Sequence, residues 1–367
     1  MIPSLNEIDW RGFLARPAFE SPSPEVLDAL SGDTILITGA GGSIGSALAL
    51  RLAYSGSSNL ILLESSENDL HDLQSRFDES GAAAPATFIL GSVAERVLME
   101  ELFTTHNPRI VFHAAAHKHV PIVEKQPLAA IANNVFGTAT VTAVAAVHGA
   151  HVVLLSTDKA VAPASVMGAT KRVAEEIVLA SGGTALRLGN VLASRGSVSE
   201  VFARQIARGG PLTVTDPLAR RFFLTMDEAV NLLLIATAQS HSAALLAPAL
   251  LETHAIVEFA AFMARELAPD RKSAIDFIGQ RPGEKVTEML WAGTDLIDPV
   301  GIGNLVSIRC NRPDPMQFKC GLAALNAAVE DRNLSGALAQ LRSLVPDFQP
   351  SQAVLALARN FSPRVCA

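Results

Sequence analysis

The stretch Thr34-Ile35-Leu36-Ile37-Thr38-Gly39-Ala40-Gly41-Gly42-Ser43-Ile44-Gly45 runs from a β-branched apolar segment straight into a glycine-rich turn, and Ser46 to Tyr54 behind it reads as an apolar helix. Strand, glycine turn and helix in that order form a phosphate cradle, because the unpaired N–H groups at the helix start face the anion. The glycines have separate duties. Gly39 makes the tight turn, Gly42 lets the backbone approach a pyrophosphate, and Gly45 lets helix and strand pack closely.

Working outward, Asn59 to Leu63 reads as a second strand ending in Glu64, about 20 residues past the turn, where an acid binds adenosine ribose hydroxyls. Its carboxylate would repel the additional phosphate of NADP, and Ser65 follows where a cation would favour it. The expected cofactor is therefore NAD, with NADP as the alternative. A blander reading makes Glu64 only a cap for a helix over Ser65 to Arg76.

Further strands are expected at Thr87 to Leu90, Arg109 to His113, Val152 to Leu155 and Ala185 to Leu188, with helices at Ala94 to Thr104, Gln126 to Gly149 and Lys171 to Leu179. This alternation predicts an α/β fold with a doubly wound parallel sheet of Rossmann type. Ala114-Ala115-Ala116 at a strand end leaves room for a cofactor. Asn133-Asn134, polar inside a long helix, reads as a brace for nearby loops, or for one of the two as a solvent-facing residue. The expected division is an arm over residues 1–32 leaning on the main domain, a nucleotide-binding domain over 33–192 rejoined by 223–245, a smaller substrate lobe from 193–222 and 246–350, and a tail over 351–367.

Chemistry concentrates in residues 156–171, Ser-Thr-Asp-Lys-Ala-Val-Ala-Pro-Ala-Ser-Val-Met-Gly-Ala-Thr-Lys. Thr157, Asp158 and Lys159 fall where a parallel strand meets its loop, the edge at which open α/β sheets bind ligands. Met167 and Lys171 stand one helical turn apart, on one face.

Composition narrows the partner. The 367 residues carry a net charge of −7 with 5% aromatics and no Lys/Arg cluster, which disfavours a nucleic-acid surface and points to a small-molecule ligand. Three cysteines, late in the chain and not at metal-ligand spacing, fit a reducing cytoplasm, and no metal site is expected. No signal peptide is read at the N-terminus. Ala139 to Leu155 is broken by His148, Gly149 and His151, so no integral membrane segment is expected.

Together Thr38 to Gly45, His113 to Pro121, Asn133 to Thr138, Ser156 to Lys171, Gly189 to Val198, Arg220 to Thr225 and Arg281 to Lys285 resemble an extended short-chain dehydrogenase/reductase. Within that group they look like the CapD-like polysaccharide-biosynthesis branch of UDP-N-acetylglucosamine 4,6-dehydratases. The resemblance implies that Gly39, Gly42, Ser43, Ile44, Gly45, Glu64 and Ala114 to Ala116 hold NAD and that Lys171 binds the nicotinamide ribose. It implies a UDP-linked sugar contacted by Lys118, His119, Asn190, Arg195, Gly196, Ser197, Val198, Arg281 and Glu284. Thr157, Asp158, Lys159, Met167 and Lys171 form the catalytic set, with Asp158 and Lys159 as acid and base of elimination. It also implies a homodimer or higher homo-oligomer, paired through the helices at 126–149 and 171–179.

Met167 departs from most short-chain dehydrogenases, which place tyrosine there as the base for the hydroxyl proton; a subset of the dehydratase branch shares the methionine. The first proton then falls to Thr157, or to Asp158 acting through Thr157 or a water. A neutral Lys159 is the expectation, since burial, the positive nicotinamide and Lys171 all disfavour its ammonium, while Asp158 works against this unless it is itself protonated, in which case it can give its proton to the departing C6 hydroxyl. The rivals are a nucleotide-sugar 4-epimerase or ketoreductase, which needs no Asp-Lys elimination pair, and a non-catalytic NAD-binding sensor, suggested by the missing tyrosine.

Overall fold

The computed structural model describes residues 5–55, 59–81, 84–239, 243–250, 252–271 and 273–360. Thr34–Thr38 (β1) lies third from one edge of a nine-stranded sheet, with Asn59–Glu64 (β2) parallel to it on one side and Ile110–His113 (β4) on the other. Ala86–Leu90 (β3) flanks β2, while His151–Thr157 (β5), Thr184–Leu188 (β6) and Ala244–Pro248 (β7) extend the sheet beyond β4, all in parallel. The chain leaves β1 and β4 at the same edge in opposite directions, and a crevice opens between them there.

Sequence position alone misplaces the far side of that sheet. Leu296–Pro299 (β8) and Leu305–Arg309 (β9), expected in a separate lobe, join it as antiparallel strands in the order β7-β9-β8. An antiparallel edge can be reached by a tight return, which leaves no strand-helix-strand signature to read.

The crossover helices are Ser43–Ser55 (α1), Glu67–Ser80 (α2), Arg96–His106 (α3), Pro127–Val147 (α4) and Val166–Ala180 (α5). Two differ from expectation. In α4, residues Ala132–Gly137 form a π-helical turn. In α5, Ser165 caps the helix by accepting from the Gly168 N–H at 3.1 Å, so it begins at Val166 and already contains Met167. By length and apolarity alone α4 could cross a bilayer; 56% of its most apolar window is buried in the fold, which makes it a core helix.

Among the described residues, three apolar cores result. The largest lies within the main sheet and its helices. A second joins Val198–Ala207 (α6) and Ile256–Leu267 (α8), and the first part of the N-terminal arm packs here, with Leu14 buried in this core and the Phe13 ring 5.0 Å from that of Phe259, while Leu30 further along the arm is buried in the main core. Arg16 also pairs with Glu228 on Met226–Ala236 (α7) at 2.6 Å. The third core is made where Pro315–Glu330 (α9), Leu334–Leu344 (α10) and Gln352–Asn360 (α11) bury Leu325, Leu338, Leu341 and Val354 against Ile131, Val135, Val173 and Ile177. Part of the faces of α4 and α5 expected to pair two copies is thus covered by the chain's own C-terminal helices, while Ala143, Ala146 and Val147 of α4 stay exposed. Residues 351–360, expected as tail, form the last of them, and 361–367 lie outside the described residues.

Candidate active site

The glycine turn is as tight as its sequence requires. Gly39 has φ +66°, and a Cβ there would come within 2.7 Å of the Ala115 backbone; one at Gly45 would stand 2.2 Å from the Gly39 carbonyl. Gly41, assigned no role above, is equally constrained by Asp69. Glu64 both closes this turn and prepares α2. Its Oε2 accepts from the Gly41 N–H at 3.1 Å, and its Oε1 accepts from the Ser65 and Ser66 N–H groups at 2.8 and 3.0 Å. The carboxylate lines a cavity of about 230 Å³ with Gly39, Ser92 and Ala114 to Ala116.

That cavity meets a larger one, of about 740 Å³, around Gly42, Ala114, Ala116 and His117, which line both. Asn134 fixes the shared wall. Its buried side-chain amide, carried on the π turn, accepts from the His117 N–H at 2.8 Å and donates to the His117 carbonyl at 3.1 Å and to Thr170 on α5 at 3.0 Å. Beneath it, His113 bridges the hydroxyls of Thr38 and Thr138 at 2.7 and 2.9 Å. Burial, with Lys171 nearby, pushes this imidazole down to about 3, so it is neutral.

Thr157, Lys159, Met167 and Lys171 all face the larger cavity, with Ser43, Ile44, Lys118, His119, Asn190, Gly196, Ser197 and Val198 around them. Asp158 is fully buried just behind. Its Oδ1 accepts from Thr157 Oγ1 at 2.9 Å and from Lys159 Nζ at 2.8 Å, while its Oδ2 has no hydrogen-bond partner among the described residues. Lys159 Nζ also donates to Asn190 Oδ1 at 3.1 Å.

The expectation of a neutral Lys159 is overturned for the free chain. Burial does work against its charge, but the Asp158 carboxylate and a second acid, Glu288 at 3.9 Å, together raise it above the ordinary lysine range. Glu288 was missed because its only sequence signal is a place three residues past Lys285, a spacing that any helical surface pair shares. Lys171 moves the other way: burial pulls it down to about 8, against the opposing pull of Glu175. Burial also lowers Lys118 and His119, helped by the charges of Arg195 and Lys118 respectively.

Three expected sugar contacts stand apart. Arg281 is exposed and Glu284 half-buried on a loop that does not form the cavity wall. Arg195 reaches back to Asp69 and the Gly41 carbonyl, its N–H donates to Ser43 Oγ at 2.9 Å, and Lys118 Nζ donates to its carbonyl at 2.9 Å. It straps the loop before α6 to the glycine turn.

Sheet order, glycine cradle and cavity define a Rossmann-type chain of the extended short-chain dehydrogenase/reductase kind. The solved structure of Pen from Bacillus thuringiensis shares this fold with a TM-score of 0.69 and 26% identity, covering 76% of this chain and 89% of that one. Residues 35–309 match the family described as polysaccharide biosynthesis protein, and the chain belongs to it. It is 37% identical over 295 residues to the probable polysaccharide biosynthesis protein EpsC of Bacillus subtilis, covering 78% of this chain and 49% of EpsC. It is 36% identical to the capsular polysaccharide biosynthesis protein CapD of Staphylococcus aureus, covering 79% and 50%. The chain thus spans about half the length of these two relatives. A UDP-glucose 4-epimerase of Rickettsia rickettsii is 34% identical, covering 72% of this chain and 79% of that protein.

Proposed function

We propose that the chain is a nucleotide-sugar 4,6-dehydratase that converts UDP-N-acetylglucosamine to its 4-keto-6-deoxy derivative, for surface-polysaccharide synthesis, with NAD bound throughout. The observation that carries this reading is the Thr157-Asp158-Lys159 chain of hydrogen bonds at the cavity edge of β5, facing the same space as Met167 and Lys171. A dinucleotide suits the two joined cavities: the Gly39 turn leaves no room for a side chain against Ala115, and Glu64 stands at the end where ribose hydroxyls would lie. Glu64 favours NAD over NADP for the reason of charge given above. When bound, NAD supplies the acceptor that takes hydride from sugar C4 and returns it to C6.

The chain's own residues handle the protons. Asp158, reached through Thr157, takes the C4 hydroxyl proton, and its unpartnered Oδ2 is the place to hold it. That same proton leaves with the C6 hydroxyl as water. Lys159 takes the C5 proton and later returns it to C5. It becomes a base by releasing its ammonium proton to solvent once Asp158, neutralised by the C4 hydroxyl proton, is no longer the anion that most favours that ammonium. Lys171 binds ribose, and Lys118, His119, Asn190, Gly196, Ser197 and Val198 surround the sugar nucleotide. Met167 fills space where a hydroxyl would otherwise compete for the proton.

Incubating the purified protein with UDP-N-acetylglucosamine and following the nucleotide sugar by mass tests this. Loss of one water is expected; an unchanged mass with NAD bound would reject this substrate. The 4-epimerase reading is favoured by the Rickettsia relative, and it predicts a product of unchanged mass with altered chromatographic mobility.

A further inference from the structure

Glu288 lies outside the catalytic set just described, yet it is held beside it with care for its surroundings on every side. Its side chain is 2% exposed; Oε2 stands 2.9 Å from Lys285 Nζ and Oε1 3.9 Å from Lys159 Nζ. The segment carrying it is fastened by other residues. Arg221 donates to the Lys285 and Val286 carbonyls at 2.9 Å each, Lys285 Nζ donates to the Val161 carbonyl at 2.8 Å, and Arg187 donates to the Leu290 carbonyl at 3.0 Å. A buried carboxylate costs several kcal/mol unless cations pair with it, so one held this firmly must be matched by its lysines.

We propose, resting on the dehydratase reading, that Glu288 is a positioning residue: with Asp158 it forms a two-carboxylate clamp that fixes the Lys159 ammonium in the cavity and sets the pH at which it yields its proton. The two acids differ in what happens to them. Asp158 takes part in proton transfer and loses its charge, whereas Glu288 does not form the cavity wall and keeps its charge through the reaction. Glu288 is then the anion that remains beside Lys159. The other charges facing Lys159 are Arg221, which opposes its ammonium, and Lys285, which shares the Glu288 carboxylate; Asn190 contributes a neutral acceptor.

The test is the pH dependence of Lys159 modification by trinitrobenzenesulfonate, which reacts with the neutral amine, mapped by peptide mass in the full chain alongside turnover. In Glu288→Gln, Lys159 is expected to be labelled roughly tenfold faster at a given pH, because an anion within about 4 Å has been removed. The rise of turnover with pH should move to lower pH, and Glu288→Asp should restore much of the original profile. A Glu288→Gln chain that is folded by circular dichroism and shows an unshifted Lys159 profile would overturn the proposal. Should that variant not fold, Lys285→Met removes the competing cation instead; slower Lys159 labelling supports the clamp, and an unchanged rate overturns it. The labelling needs no substrate. If the unmodified chain fails to dehydrate UDP-N-acetylglucosamine, that failure falls on the reaction proposed above, and the labelling still decides Glu288.

Discussion

Lys159 and Met167 carry the sharpest predictions at the scale of single residues. Lys159→Ala removes the base and should lower dehydration by roughly 100-fold to 10,000-fold, the usual worth of general acid-base groups, while NAD affinity measured by fluorescence titration stays near normal. Near-normal turnover would remove Lys159 from the chemistry. Met167→Ala should cost less than about tenfold, against a loss in the general acid-base range for Asp158→Asn. A collapse in the methionine variant alone, with the fold intact, would mean that its thioether does more than fill space. Lys171 supplies a pH signature. Its ammonium is lost as pH rises through about 8, so NAD affinity should fall across that range, and Lys171→Met should bind more weakly with no such step. The stability sign is separate. Since Lys171 titrates below its ordinary value when folded, the unfolded chain holds more protons above about pH 8, and this term makes the fold more stable as pH rises through that window.

At the level of elements, the cradle and the π turn were not equally visible in advance. β1, the glycine turn and α1 follow from local spacing, because Gly42 and Gly45 answer contacts made within the turn itself; Gly41, held against Asp69 on α2, does not. The π turn at Ala132–Gly137 carries no such local mark; only the two polar residues Asn133 and Asn134 in an apolar helix hint at it, and the partners of Asn134 come from the loop after β4 and from α5. The pairing of Glu288 with Lys159 was invisible for the same reason, since it depends on where Arg221 and Arg187 anchor a distant loop. Two substitutions test these elements. Gly45→Ala places a methyl on the Gly39 carbonyl and should destabilise the chain by roughly 1–3 kcal/mol in urea unfolding, with loss of NAD binding. Asn134→Ala leaves the His117 N–H and carbonyl unpaired, at a cost of about 1–3 kcal/mol. Unchanged stability in either would contradict the packing described for that element.

Across the whole molecule, the family match ends at residue 309, and α9 to α11 lie beyond it. These helices pack on α4 and α5, and the segment leading to α11 reaches the loop after β5: the Gln349 N–H donates to the Pro163 carbonyl at 2.9 Å, and Ser351 donates to Glu124, which accepts from the Val166 N–H at 2.8 Å. Leu341→Ala should therefore cost about 2–5 kcal/mol, as deletion of a fully buried leucine does. Hydrogen exchange at residues 166–180 should also be independent of protein concentration. Protection that rose with concentration would mean that a second copy, not α9 to α11, covers α5. The parallel sheet was legible because its strands alternate with helices; this C-terminal cap was not, because apolar helices show that they need a partner surface without showing which one.

The proposed reaction is an elimination across C5 and C6 with hydride returned inside one site. Proton NMR of UDP-N-acetylglucosamine incubated with the protein in deuterated water tests it most directly. A new C6 methyl signal, a 4-keto sugar, and deuterium at C5 from exchange on Lys159 are expected. A sugar that keeps its C6 hydroxymethyl signals while NAD is bound would contradict it.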